Sequence, residues 1–302
     1  MVSGFHEGEL AIQARARVVE EASRLAGMLD NAELSGGFRR FLAEKEFAAV
    51  TARDPGGRLW ISPLFAHPGF LDTRDGILQI HAVPRPGDPL AALRKDQPVG
   101  LVVMDFATRR RVRINGVLVG VGADSLRIEV EQAYGNCPQY IQQRQIRHIP
   151  QPGSEPGGSA TPAATPADTQ VRLIQRSDTF FLGTAHPTRG ADASHRGGRP
   201  GFVRTFDGDI WWPDYPGNNM FNSLGNLAVN DEAALLFLDF DTGSTLHLSG
   251  TARVEWIGPG MPGDDGHTGR RVRFSPVEVV RGPTLDLTAD QPRFSPFDPP
   301  LT

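Results

Sequence analysis

Residues 194–204 read SHRGGRPGFVR, so one histidine stands among three glycines and three arginines just before the chain turns apolar. Ser194, His195, Arg196 and Arg199 supply a hydroxyl, an imidazole and two guanidiniums, and Gly197 and Gly198 expose backbone amides. Planar guanidinium forks and exposed N–H groups suit an anionic group or an electron-rich ring. A glycine-rich surface loop with solvated charges has the same composition. The next polar run, WWPDYPGNNMFNSLGNLAVND at 211–231, places Asp214, Tyr215, Asn218, Asn219, Asn222 and Ser223 within a dozen residues. That density of uncharged donors suits a phosphate, a ribityl chain or a sugar better than a metal. Pro-Gly-Asn-Asn is also ordinary turn chemistry. Leu224 and Leu227 predict a short helix with Asn222 or Ser223 as its cap and an anion site at its N-terminus.

Other reactive residues read as structural. Arg109, Arg110, Arg111 and Arg113 sit at a hairpin, where charge keeps a strand edge from pairing with strangers, and docking of an acidic cofactor is the minor alternative. His247 alternates with Leu246 and Leu248 and so faces the other side of its strand, as a packed or hydrogen-bonded histidine. Cys137 reads as a buried small residue rather than a nucleophile. The histidines lack ligand spacing and no Cys-x-x-Cys or His-Glu-x-x-His occurs, so no metal site is expected. No Gly-x-Gly-x-x-Gly follows a strand and no Gly-x-Ser-x-Gly occurs, which leaves Rossmann and α/β-hydrolase folds without support.

The elements that hold these residues are mainly strands. The 302 residues include 34 glycines and 25 prolines, and the apolar runs between them (EFAAVTA, GLVVMDF, FFLGTA, ALLFLDF) are short. This is the punctuation of barrels and sandwiches. Helical spacing occurs at the start, where Leu10, Ala14, Val18 and Leu25 share one side, and again through Phe38, Phe41 and Leu42. Residues 151–169, QPGSEPGGSATPAATPADT, lack large apolar side chains and read as a flexible linker. On its two sides Pro68-Gly69-Phe70 answers Pro200-Gly201-Phe202 at an offset of 200 − 68 = 132, and Asp105-Phe106 answers Asp239-Phe240 at 134. Gly116 answers Gly250, and Leu90 and Leu93 answer Leu224 and Leu227, all at 134; Thr51-Ala52 falls on Thr184-Ala185 at 133. A duplicated unit is implied, with residues 1–150 as N-terminal helices plus a first unit and 170–302 as a second. In the first copy HAVPRPGDPLAALRKDQ lacks the Asn-Asn pair, so its site reads as degenerate, although Asp88-Pro89 still predicts a helix start. The formal charge is −4 with both signs mixed along the chain, which argues against a nucleic-acid partner. A single cysteine, no apolar run of membrane-spanning length and no leader pattern point to a cytoplasmic protein with no membrane partner. The proline-rich end FSPFDPPLT reads as loosely held.

The run SHRGGRPGFVR, with WWPDYPGNNMFNSLGNL, LLFLDF and LSGTARVEW, resembles the pyridoxamine 5′-phosphate oxidase-like flavin-binding proteins of split β-barrel fold. FHEGELAIQARA and GNCPQYIQQRQ resemble the branch with two barrels in one chain. The resemblance implies an α+β architecture, mainly β with flanking helices, of two tandem split β-barrel units with FMN held where barrels meet. It implies that Arg196, Gly197, Arg199, Pro200, Gly201 and Phe202 lie by the ring and ribityl chain, and that Asp214, Tyr215, Asn218, Asn219, Asn222 and Ser223 form the phosphate end. The Ser-Arg-Lys phosphate clamp of the true oxidases has no counterpart, which argues against pyridoxamine phosphate as substrate. The expectation is an FMN-dependent oxidoreductase acting on a small molecule, with NAD(P)H as candidate donor, His195 as proton donor near its ordinary pKa, and a homodimeric assembly. The alternatives are a flavin-holding sensor without turnover, or a split barrel that binds haem or a deazaflavin.

Overall fold

The computed structural model of the chain describes residues 4–29, 34, 36–149 and 163–302. Three helices, α1 (Glu7–Ala16), α2 (Val19–Ser23) and α3 (Gly37–Ala43), lead into β1 (Phe47–Arg53), β2 (Leu59–Phe65), β3 (Leu71–Arg74), β4 (Ile77–Ile80), β5 (Gln97–Asp105), β6 (Arg110–Val121), β7 (Leu126–Gly135) and β8 (Ile146–His148). Then follow α4 (Asp168–Arg176), β9 (Thr179–His186), β10 (Gly190–Gly197), β11 (Arg204–Phe206), β12 (Asp209–Pro213), α5 (Asn222–Val229), β13 (Glu232–Leu238), β14 (Thr245–Trp256), β15 (Arg270–Arg281) and β16 (Leu287–Ala289).

Two seven-stranded antiparallel sheets result, in the orders β2-β1-β5-β6-β7-β4-β3 and β10-β9-β13-β14-β15-β12-β11. These are one topology used twice, the tandem split barrels that the motifs imply. A β-bulge between Asn115 and Gly116 has its equal between Ser249 and Gly250, which fixes the offset of 134 for β6 and β14. Carried through the ladders from those bulges, Thr51 corresponds to Gly183, at 132 rather than the 133 read from Thr51-Ala52. These two counterparts face each other: a Cβ on Gly183 would stand 2.7 Å from the Thr51 hydroxyl oxygen, so a pseudo-twofold axis passes here.

Three cores explain why the central strands lack alternation. Ala48, Val50 and Ala52 of β1 point into the first unit's core, while Phe180 and Leu182 of β9 point into the second's. Phe47 and Ala49 of β1 and Phe181 and Ala185 of β9 meet in a third core between the units. Strands covered on both faces are apolar throughout. The inner faces of the two units cover each other within the chain.

The helical readings shift in detail. Leu10 is 46 % exposed, and α1 instead buries Gly8, Glu9, Ile12 and Gln13. The reason is a close crossing, because a Cβ on Gly8 would lie 2.1 Å from the Gly225 carbonyl oxygen of α5. Residues 86–92 of the first unit form turns, so Asp88-Pro89 opens no helix there. Of the expected linker, 151–162 lie outside the described residues; in the remainder Ala163 pairs with Val279 and Asp168 begins α4. The C-terminal end is tied down, with Gln143 bridging Arg293 and the Thr302 hydroxyl donating to Asp265 at 2.7 Å. No helix among the described residues is long and apolar enough to cross a membrane.

Candidate functional site

Strand period decides what faces the join between units. On β6, Val112 and Ile114 enter the first core, which turns Arg111 and Arg113 toward the second unit. On β10, Asp192, Ser194 and Arg196 share one face and His195 the other. A cleft of about 840 Å³, counted out to its mouth, lies between them. Its walls include Arg111, Arg113, Cys137 and Tyr140 from the first unit, and from the second the stretches 195–197, 212–219 and 221–224 with Phe202.

Most of the expected residues converge here: His195, Arg196, Gly197, Phe202, Asp214, Tyr215, Asn218, Asn219, Asn222 and Ser223 all line the cleft. Arg199, Pro200 and Gly201 do not. Arg199 and Pro200 are exposed, Arg199 stacks over Phe294, and the Gly201 amide donates to the Gln175 carbonyl. The tight turn ends the strand before these residues reach the join. Cys137 is part-exposed at the cleft rather than buried.

The electrostatics are lopsided. Arg113 pairs with Asp192 at 3.2 Å, and Asp214 pairs with Arg270 at 2.9 Å and Arg196 at 3.6 Å. Among the described residues Arg111 has no carboxylate partner; its guanidinium donates to His195 Nδ1 at 2.9 Å and to the His195 carbonyl at 3.2 Å. Four guanidiniums therefore meet two carboxylates. Burial, then the neighbouring Arg113 and Arg196 charges, push Arg111 down to about 9, so it remains a cation at neutral pH. Burial lowers Arg196 in the same way; for Arg113 burial is the largest single effect, but Asp192 and Tyr134 together outweigh it and raise the group. The Nε atoms of all three are buried without a hydrogen-bond partner among the described residues.

His195 is not a titrating acid. It is 3 % exposed, and burial followed by Arg111, Arg144, Arg196 and Arg113 holds its pKa well below 6.5. Because arginine only donates, Nδ1 is the acceptor and the proton sits on Nε2. That Nε2–H has no partner among the described residues.

The α5 N-terminus opens on the same space. Neither expected cap serves: Asn222 donates to Glu9 at 2.6 Å and Ser223 donates to Asp192 at 2.7 Å. The cap position is Phe221, in the left-handed region at φ 61° with no side-chain cap bond. The first-turn N–H groups of Asn222, Ser223 and Leu224 thus carry positive potential toward the cleft. Tyr140 (φ 66°) and Asn219 (φ 60°) share that conformation, and strained residues gathered on one cleft mark a functional site. Tyr140 and Tyr215 pack ring to ring at 4.9 Å, and the Tyr140 hydroxyl donates to Pro216 at 2.8 Å.

Residues 167–258 match the family model described as pyridoxamine 5′-phosphate oxidase. The second unit resembles that family. The match stops short of the first unit, which supplies Arg111, Arg113, Cys137 and Tyr140. Solved structures similar to this chain include a Group A Streptococcus HupZ (12 % identity, 39 % of this chain and 98 % of that one, TM-score 0.32). A Clostridium acetobutylicum protein related to general stress protein 26, of the pyridoxinephosphate oxidase family, is similar at 15 % identity over 39 % of this chain and 89 % of its own, TM-score 0.27. An FAD binding protein from Mycobacterium smegmatis is similar at 11 % over 39 % and 97 %, TM-score 0.27. No curated protein matches.

The cleft takes Arg111 and Arg113, two of its three lining arginines, from residues that the hairpin reading makes structural. The available signal was Arg-Val-Arg-Ile at 111–114, a period-two pattern with apolar residues on the core side, which demands that the arginines share the opposite face. Among the described residues one cluster has metal-ligand spacing: His6, Glu7 and His186, with ligand atoms within 4.8 Å. It is committed to structure. Nδ1 of His6 accepts the Gly8 amide, and Nδ1 of His186 accepts those of Thr188 and Arg189. Both protons therefore sit on Nε2, toward Asn226 and Glu7, on the nitrogens a metal would need.

Proposed function

We propose that the cleft binds FMN and that the protein is a flavin-dependent oxidoreductase acting on a small molecule. The observation that carries this reading is the uncompensated guanidinium of Arg111, buried beside Arg113, Arg196 and the open N-terminus of α5. An unpaired buried cation is costly unless a ligand anion completes it. Arg111, Arg113, Arg196 and the first amides of α5 would hold the phosphate, and Phe202, Tyr140 and Tyr215 would flank the apolar ring. When bound, the isoalloxazine supplies hydride or electron transfer. His195 would donate Nε2–H to a ligand acceptor while remaining neutral, and the walls exclude bulk water.

The test is titration of the full chain with FMN and riboflavin, followed by flavin fluorescence. FMN should bind at least tenfold more tightly than riboflavin, and Arg111→Gln should erase most of that preference, since a charge-assisted bond contributes roughly 1.5–3 kcal/mol. Equal affinity for the two flavins, or none for either, removes the reading. A specific observation supports flavin holding without turnover as a second reading: the imidazole at the site does not titrate near neutrality. Reduction of the bound flavin by NADH or NADPH at a useful rate decides against it.

A further inference from the structure

The pseudo-twofold axis assigns the cleft a counterpart on the other side of the join. At the established offsets Arg113 corresponds to His247, Ser194 to Ser62, Asn222 to Asp88 and Leu224 to Leu90. A symmetric pair of barrels would therefore offer two anion sites. Only one is open.

At the counterpart the space is filled from within. The Asp88 carboxylate accepts the Leu90 amide at 2.7 Å and the Ser62 hydroxyl at 2.5 Å, and it lies 3.6 Å from His247. Asp88 is 6 % exposed and His247 fully buried, with His247 Nδ1 against the Ile61 carbonyl at 3.0 Å. In the second unit the equivalents of these partners line the cleft: the Leu224 amide has no hydrogen-bond acceptor among the described residues, Arg113 stands where His247 would, and neutral Asn222 replaces the acid. His195, whose Nε2–H is buried without a partner among the described residues, lines the same cleft.

We propose that Asp88 is a built-in anion: its carboxylate fills, in the first unit, the position where the second unit receives the oxyanion of its ligand, so the chain takes one such ligand and not two. This rests on the cleft being an anion site. It places the oxyanion at the Leu224 amide, and it explains the asparagine at 222, where an acid would compete for the same donors.

The experiment compares the full chain with Glu9→Gln and with Asn222→Asp combined with Glu9→Gln, the latter sparing the new acid a clash with Glu9. FMN is titrated by fluorescence, and bound flavin per chain is counted after gel filtration. The expected result is one FMN per chain, at least tenfold weaker binding by the double variant, and binding within threefold of the parent for Glu9→Gln alone. Two flavins per chain, unchanged binding by the double variant, or an equal loss in Glu9→Gln alone each overturn the proposal; the flavin count needs no variant to fold. If the parent ignores FMN, the flavin reading fails by itself, and the anion position is read from melting temperatures in millimolar inorganic phosphate. Stabilisation of the parent but not of the double variant upholds the proposal, and stabilisation of both or neither ends it.

Discussion

In the open cleft Arg111 and Arg113 of β6 stand against His195 and Arg196 of β10; at its counterpart β14 meets β2, with His247 Nδ1 at 3.0 Å from the Ile61 carbonyl. The strands, bulges and register are shared. The open side surrounds unbalanced positive charge with amides at a helix start, whereas the closed side sets its own carboxylate beside a buried imidazole. Gly197 on the open side corresponds to Phe65, which stacks on His148 at 4.1 Å, whereas at Gly197 the Tyr140 carbonyl takes the space a Cβ would need. Duplication thus supplies two equal frames, and a few side chains decide which one holds a ligand.

The comparison breaks most plainly on stability. His247→Leu leaves Asp88 and the Ile61 carbonyl buried without their partner and should cost about 3 kcal/mol. Arg111→Gln, in the absence of ligand, removes a charge with no carboxylate partner and should cost less than about 1 kcal/mol. Urea melts of both check this, and equal losses would mean that the open side is as structural as the closed one. Gly197→Ala is next. Its Cβ would lie 1.9 Å from the Tyr140 carbonyl oxygen, so the 137–140 segment must move. A loss of about 2 kcal/mol is expected from overpacking, with FMN affinity down at least tenfold.

Glu9 sharpens the comparison through pH. Burial, against its bonds from His6 and Asn222, raises it from 4.5 to about 7. An acid raised on folding binds a proton more tightly when folded, so its contribution to stability falls as pH rises from about 4.5 to 7 and is constant above. Glu9→Gln should therefore melt higher than the parent at pH 8, by on the order of 1 kcal/mol once altered bonding to Asn222 is allowed for, and the two should converge near pH 4.5. A constant difference across that range refutes the shifted carboxyl. The smallest effect concerns His195, whose imidazole NMR signals should not titrate between pH 5.5 and 8. A midpoint near 6.5 would restore it as a proton donor.

Much of this was legible in the residues. Pro-Gly-Phe and Asp-Phe anchors at near-constant offsets exposed the duplication, because turns and strand ends tolerate few substitutes and keep their spacing. The Asn-rich segment combines a donor density suited to a ligand with ordinary turn chemistry, and it lines the cleft. The arginines of β6 were read as a solvated hairpin because their neighbours across the join lie some eighty residues away, and only alternation hinted at a buried face. The resemblance places Arg199, Pro200 and Gly201 by the ring, but the strand ends at Gly197, before them.

The sequence by itself determined the local periods: strands between glycine and proline punctuation, two copies of them, and a polar segment concentrated in the second. The tertiary structure decided which faces meet. Packing along the pseudo-twofold axis set Arg111 against His195 and Asp88 against His247, and burial there turned one histidine into a neutral donor and left one guanidinium without a counter-ion. Those properties depend on desolvation and on distances of a few ångströms between residues remote in the chain, which local pattern does not encode.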